Sequence, residues 1–214
     1  MSVRLVALDI ADPSETWRQA GFEVDVDGGC RVGAVRLWLG RAPGGRGVLG
    51  WTLAGTEALT EVDGLPTTVA PDEEPAVPAH HPNGVTSVDH VVMRTPDLDR
   101  TVAALCAIGA EPRRTRPTTG PDGSAITQVF FRLGEAILEL VGPPERAGDG
   151  PARIWGLAFT CADLDATTAS LGDLVGTPRD AVQPGRRIAT IRRSADLTVP
   201  VALMSTGPGR REPR

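Results

Sequence analysis

Short apolar stretches alternate with polar, glycine- and proline-bearing ones along this chain, and the same succession keeps returning. Residues 3–8 form a largely apolar run, which predicts a strand. Asp9 and Asp12 then precede Pro13, the order in which helices start, and a short helix through Trp17 is expected to end at Gly21. Strand-like pieces follow at 22–26, 30–39 and 48–54, separated by turns such as Gly28-Gly29 and Gly44-Gly45.

The succession restarts at Val88–Arg94, a strand by its pattern. Thr95-Pro96-Asp97 offers a capping hydroxyl, a first-turn proline and an acid. Leu98, Val102, Leu105 and Ile108 then make one helical stripe that stops at Gly109. Strands are expected at 110–115, 125–133 and 136–142, with a Pro121-Asp122-Gly123 turn between the first two. A third restart places a strand at 154–160, a helix at 163–171 with Leu164, Thr168 and Leu171 inward, and strands at 177–182, 187–193 and 198–204. Asp9 to Gly21 and Asp97 to Gly109 have the same length, and Asp97-Leu98-Asp99 recurs as Asp163-Leu164-Asp165. A unit of strand, helix and three strands exposes one apolar sheet face that must join or pack on another unit.

The predicted class is therefore α+β, built from repeated βαβββ modules. Residues 1–61 form an N-terminal module. Residues 62–87 form a connector, and 88–206 a module pair (88–142 and 154–204). Residues 207–214 are an arginine-bearing tail expected to be flexible. The connector carries Pro66, Pro71, Pro75, Pro78 and Pro82 with the acidic cluster Asp72, Glu73, Glu74, and is read as lying on the surface.

Composition narrows the function classes. With 22 Lys plus Arg against 27 Asp plus Glu the formal charge is −5, there is no tyrosine, and only four Phe and four Trp offer stacking surfaces. That balance argues against a nucleic-acid partner. No apolar run reaches the length of a membrane span, and the first residues lack the apolar core of a secretion signal, so no membrane partner is expected. Cys30, Cys106 and Cys161 lie far apart, which fits free thiols in a reducing, cytoplasmic setting better than a disulfide framework.

Two polar residues break otherwise apolar strands. Period two puts Val88, His90 and Val92 on one face and Asp89, Val91 and Met93 on the other; in the last strand of that unit Ile137, Glu139 and Val141 share a face. An ionisable group on an apolar face needs a partner, a hydrogen-bond network or a metal. His90 and Glu139 can thus face one cavity as metal ligands or as an acid–base pair, or simply bond each other at a sheet rim. His80-His81 in the connector reads as surface, with a lid contribution as the alternative. Cys106 reads as packing. Cys161 has no nearby histidine to activate it, and Arg186 and Arg187 read as a solvated edge or an anion contact. The glycines of residues 40–50 lack the surroundings of a phosphate loop and read as turns, so no nucleotide cofactor is expected.

The restarting units, above all VDHVVMRTPDLDRTVAAL with FFRLGEAILELVGP and IWGLAFTCADLDATTASLG, resemble the glyoxalase / bleomycin-resistance / extradiol-dioxygenase superfamily, the vicinal oxygen chelate proteins. The resemblance covers residues 88–204 well and 3–54 more loosely. It implies paired modules forming an open, incomplete barrel, with a divalent metal (zinc, iron, manganese, nickel or cobalt) held by the first and last strand of each module. The matching positions are His90 and Glu139 in the second unit, Gly156 and Ala202 in the third, and Ser2 and Trp38 in the first. Only half of the expected ligand set is present. His80 or His81, water, a substrate chelate or a residue from another subunit would have to complete it.

Three functions follow from the resemblance. One is a glyoxalase- (lyase-) or dioxygenase-type enzyme acting on a small oxygen-rich metabolite, with His90 and Glu139 as catalytic and metal-binding residues. A second is a metal-free small-molecule binder with a pocket of Val88, Val92, Phe131, Trp155, Phe159 and Met204. The third is a structural or interaction protein with a filled cavity. An odd first module with open edges favours a homodimer.

Overall fold

A computed structural model of the chain describes residues 2–71, 79–120 and 122–207. The acidic cluster Asp72, Glu73, Glu74, the prolines Pro75, Pro78 and Pro121, and nearly all of the expected tail lie outside the described residues.

Two sheets divide the chain. The first is built from β1 (Arg4–Ile10), β2 (Gly29–Val32), β3 (Val35–Trp38), β4 (Val48–Ala54), β5 (Glu61–Val62) and β6 (Leu65–Val69), with α1 (Ser14–Gln19) after β1. Its strand order is β2-β3-β1-β4-β6-β5. The second contains β7 (Val85–Arg94), α2 (Leu98–Ala107), β8 (Pro112–Thr119), β9 (Ala125–Leu133), β10 (Ala136–Gly142), β11 (Arg153–Cys161), α3 (Leu164–Leu171), β12 (Arg179–Asp180), β13 (Arg187–Thr190) and β14 (Val201–Ser205). Its order is β12-β13-β14-β11-β7-β10-β9-β8. Neither sheet closes into a barrel, and the architecture is α+β with mixed parallel and antiparallel pairing.

The two orders match strand for strand. β1 runs parallel to β3 and antiparallel to β4, while β4 is parallel to β6 and β6 antiparallel to β5. β7 stands in the same relations to β10 and β11, and β11 and β14 to β14 and β13. The first sheet is thus a reduced copy of the second, lacking the two edge strands and one helix. The N-terminal sheet is not a single odd module: it spans residues 4–69 and already contains two abbreviated units.

Local chemistry explains where the strands depart from the sequence pattern. Residues 22–26 are not a strand, because the Asp25 N–H bonds the Gly29 carbonyl (2.8 Å) and folds the chain into a turn. The 30–39 stretch splits into β2 and β3 at Gly33, whose φ is +58°. The segment 62–87 is not merely a surface connector, since it carries β6. Asp63 (φ +49°) and Gly64 (φ +77°) make the two-residue hairpin between β5 and β6, the left-handed pair such a turn requires. Pro66 is tolerated there because it is exposed and precedes the register that β6 shares with β4.

The repeated Asp-Leu-Asp motif has one meaning in both units. Asp97 and Asp163 are the N-caps of α2 and α3, accepting from Arg100 N and Ala166 N at 3.0 Å each, while the following acids sit in the first turn. Thr95 is therefore not the cap; its hydroxyl accepts from Asp97 N and fixes the entry. In α3 the inward residues are Leu164, Thr167 and Leu171, with Thr167 donating to the Asn83 carbonyl.

The two sheets share one apolar core. Trp17, Phe22 and Phe159 meet with ring centroids 4.9–6.2 Å apart, all buried, and join first and second halves. Buried polar latches reinforce the seam. Asp12 accepts from Thr198 N at 3.1 Å, and Asp63 accepts from Arg100 Nε at 2.5 Å and from the Thr101 hydroxyl. Gly21 (φ +77°) lets Asn83 pack close enough that a Cβ would meet the Asn83 Cβ at 2.8 Å.

Candidate functional site

The second sheet has one apolar face and one mixed face. In β10 the residues Ala136, Leu138 and Leu140 are buried, while Ile137, Glu139 and Val141 are half-buried on the other side. Register pairing extends that mixed face: Ile137 lies beside His90, Glu139 beside Val92 and Phe130, and Gln128 beside Val141 and Arg116. His90 and Glu139 therefore share a face, as their period predicted, and His90 Nε2 stands 3.7 Å from Glu139 Oε2.

A bulge brings in a residue that strict alternation sends to the other side. β7 pairs His90 with Ala158 and Val88 with Phe159, leaving Asp89 as the extra residue. Asp89 Oδ1 lies 3.1 Å from His90 Nδ1, Arg186 bonds Asp89 Oδ2 at 2.7 Å, and the Thr160 hydroxyl approaches the same oxygen at 3.3 Å. Burial works to raise the Asp89 carboxyl, but the His90 bond and the Arg186 guanidinium outweigh it and hold the group well below the usual carboxylate range. An ionised carboxylate only accepts, so His90 Nδ1 donates to Asp89 and Nε2 is the ring nitrogen turned toward Glu139.

On the far side, Gln128 donates its amide to Glu139 Oε1 and receives Arg116 Nε at 2.9 Å. The result is one polar row across the strands, Arg116–Gln128–Glu139–His90–Asp89–Arg186. Its members His90, Asp89, Glu139 and Arg186 keep only 11–17% of their side-chain surface exposed. Only the step between Glu139 and His90 is too long for a hydrogen bond, so Nε2 is the open valence of the row. A basic nitrogen backed by a carboxylate and facing a second carboxylate can take up and return a proton.

The other expected site residues scatter. Val88, Phe131 and Phe159 belong to the buried core rather than to a pocket, because the bulge turns Val88 inward and Phe131 shares the apolar face of Leu138. Met204 is likewise buried, whereas Val92 shares the mixed face with Glu139. Trp155 is 46% exposed and stacked by Arg94 at 4.6 Å; it lines a groove of about 590 Å³ between residues 190–201 and Arg46.

The connector histidines do not reach the row. His80 is exposed. His81 is buried against the first sheet, its Nδ1 accepting from Glu23 N at 3.0 Å and its Nε2 bonding the Arg31 carbonyl at 2.9 Å. Burial pushes its pKa down, outweighing the bond to Arg31. Burial also pushes the thiols up, Cys30 to about 12 and Cys161 to about 11, so neither is a ready thiolate, and Cys106 is exposed rather than packed.

A metal of the implied kind finds half a site. Gly156 lies beside Val92, and Ala202 beside Ala158 in the row that holds His90, so the third unit's positions are in place but carry no donor atom. In the first unit Ser2 precedes β1; the register instead equates Ala7 with His90 and Trp38 with Glu139. Asp89, the nearest further carboxylate, is already neutralised by Arg186. Among the described residues no three His, Cys, Asp or Glu converge as a metal cluster. The residues do not fit a four-ligand centre.

Residues 87–186 match the family model of the Glyoxalase/Bleomycin resistance protein/Dioxygenase superfamily. A solved triple mutant of 4-hydroxymandelate synthase from Streptomyces coelicolor aligns over 98% of this chain and 94% of its own, with TM-score 0.67 and 14% identity. That likeness is one of fold, and it includes the reduced first sheet. Methylmalonyl-CoA epimerase from Mycobacterium tuberculosis aligns over 58% of this chain and 91% of its own, at 22% identity and TM-score 0.45. The Streptomyces coelicolor epimerase in complex with 2-nitronate-propionyl-CoA covers 60% and 99%, also at 22% identity, with TM-score 0.46. No curated protein matches the chain.

Sequence reasoning missed Asp89, Gln128, Arg116 and Thr160. Gln128 was open to discovery, since it is a polar residue in the apolar run ITQVFF of an expected strand, whereas Arg116 lies just past the strand expected at 110–115. Asp89 was hidden by its bulge.

Proposed function

We propose that the mixed face of the second sheet takes a small, oxygen-rich anionic metabolite, and that His90 and Glu139 move a proton on it without a resident metal. The observation that carries this reading is the Asp89–His90 pair presenting Nε2 to Glu139 in a row closed at both ends by arginine. Asp89 fixes the tautomer and supports positive charge on the ring once His90 accepts a proton, the role a buried carboxylate plays behind a general base. Arg116 and Arg186 supply positive field for a carboxylate or enolate oxygen. The chemistry that suits such a pair is proton removal beside a carbonyl and its return elsewhere, an isomerisation or epimerisation. No dioxygenase or lyase step is assigned.

A second reading, a binding protein without chemistry, is favoured by a different fact: apart from Nε2 the row already satisfies itself internally. One experiment separates the two. The protein is incubated in deuterated buffer with a panel of 2-oxo and 2-hydroxy carboxylates, and loss of the carbon-bound proton is followed by NMR. The proposal expects catalysed exchange that survives chelator and falls about 100-fold or more in His90→Gln and Glu139→Gln. Thermal stabilisation by a panel member without exchange supports the binder. Exchange abolished by chelator and restored by one divalent ion overturns the metal-free mechanism.

The first sheet is continued by β4, β6 and β5 of the same chain and keeps β2 and β5 as open edges. The site as proposed needs no second subunit. Three free cysteines support a reducing, cytoplasmic setting, and among the described residues no helix is long and apolar enough to cross a membrane.

A further inference from the structure

The groove at the seam of the two sheets has its own chemistry. It holds about 590 Å³, a volume in the range of small-ligand sites. Arg46 enters it from the first half, and Arg192, Arg193, Asp196 and Trp155 from the second. Three guanidinium groups against one carboxylate is a strong local excess of positive charge in a chain whose formal charge is −5. Among the described residues the Arg192 side chain bonds only the Asp173 carbonyl, at 3.3 Å, and the Arg46 and Arg193 side chains have no ion-pair or hydrogen-bond partner.

Two further features mark the groove as built. Trp155 is pushed out by a bulge between Ile154 and Gly156, exposes nearly half its surface, and is braced by Arg94. An indole left this open, with a cation behind it, is a platform for a flat electron-poor ring. The opposite wall is fixed. Gly47 N, next to Arg46, donates to the Thr198 hydroxyl at 2.6 Å, and Thr198 N is clamped by both oxygens of Asp12 at 3.1 Å. The backbone beside Arg46 is thereby tied across the seam to Thr198 and the buried Asp12.

We infer that the seam groove binds a planar aromatic phosphate ester of mononucleotide size, the ring on Trp155 and the phosphate among Arg46, Arg192 and Arg193. Phosphate suits three forked donors better than a single carboxylate does.

The test is calorimetric titration of the full chain with adenosine 5′-monophosphate, inorganic phosphate and adenosine at near-physiological salt. The nucleotide is expected to bind saturably and at least about tenfold more tightly than either fragment. The exposed double variant Arg46→Gln/Arg193→Gln should weaken it about tenfold or more with an unchanged melting temperature. Trp155→Ala should abolish the preference of nucleotide over phosphate, and Trp155→Phe should keep most of it. Equal binding of nucleotide and phosphate, indifference to the arginine pair, or no saturable binding would each overturn the inference.

Discussion

Exchange of Asp89 for asparagine keeps the shape of the side chain and removes its charge, so it isolates what the carboxylate does in the row. In the folded chain this group bonds His90 Nδ1 at 3.1 Å and Arg186 at 2.7 Å, with 11% and 15% of the Asp89 and Arg186 side chains exposed. Removing one member of a fully buried ion pair costs about 3–5 kcal/mol, because the other charge is stranded. Residual water contact and the oxygen retained by asparagine reduce this to about 2–3 kcal/mol. With a denaturant slope of about 2–3 kcal/mol per molar, the urea midpoint should fall by about 1 M at neutral pH. The pH dependence gives a second reading. The folded pKa of Asp89 lies below its ordinary 3.8, so its contribution is complete above 3.8 and is lost only as pH falls through the depressed folded value. The gap between wild type and Asp89→Asn should therefore be the same at pH values well above 3.8 and begin to close only below it. A cost under about 0.5 kcal/mol, typical of an exposed pair, would refute the buried row, as would a gap already closing well above that pH.

Three other outcomes follow from the same contacts. His81 is neutral and doubly bonded in the folded chain, with a pKa below the ordinary 6.5. Stability should therefore be full above 6.5 and decline as pH drops below it, and His81→Ala should cost about 2 kcal/mol at alkaline pH while flattening that decline in urea titrations. Phe159→Ala removes a fully buried ring between Trp17 and Phe22 and should cost about 4 kcal/mol by calorimetry. Asp12→Ala strands Thr198 N and should cost about 2 kcal/mol; unchanged stability would mean that the seam latch contributes nothing.

Much of the second sheet was legible because its elements obey local rules. Leu98, Leu105 and the Asp-Leu-Asp motif announced α2 and its cap region, and the alternation of Ile137, Glu139 and Val141 announced a strand with one polar position. His90 and Glu139 emerged from the same alternation, and register put them side by side. What failed was whatever depended on a one-residue irregularity. The bulge at Asp89 reversed the expected faces of Val88 and Asp89. In the first sheet the units are too abbreviated to count. β5 has two residues and no helix links β4 to β5, so a sheet that copies the second read as one module and a connector. The Asp63-Gly64 hairpin was present in the sequence as a turn signal, masked by the prolines around it.

Asp89 holds a proton on His90 Nδ1, and Nε2 is the nitrogen turned toward Glu139. With only three histidines in the chain, a long-range proton–nitrogen correlation spectrum of labelled protein at mildly alkaline pH reads it directly. The account predicts opposite tautomers for the two half-buried and buried rings, hydrogen on Nδ1 for His90 and on Nε2 for His81, with the His90 resonances alone displaced in Glu139→Gln. Hydrogen on Nε2 of His90, or a His90 signal that averages like that of exposed His80, would contradict it.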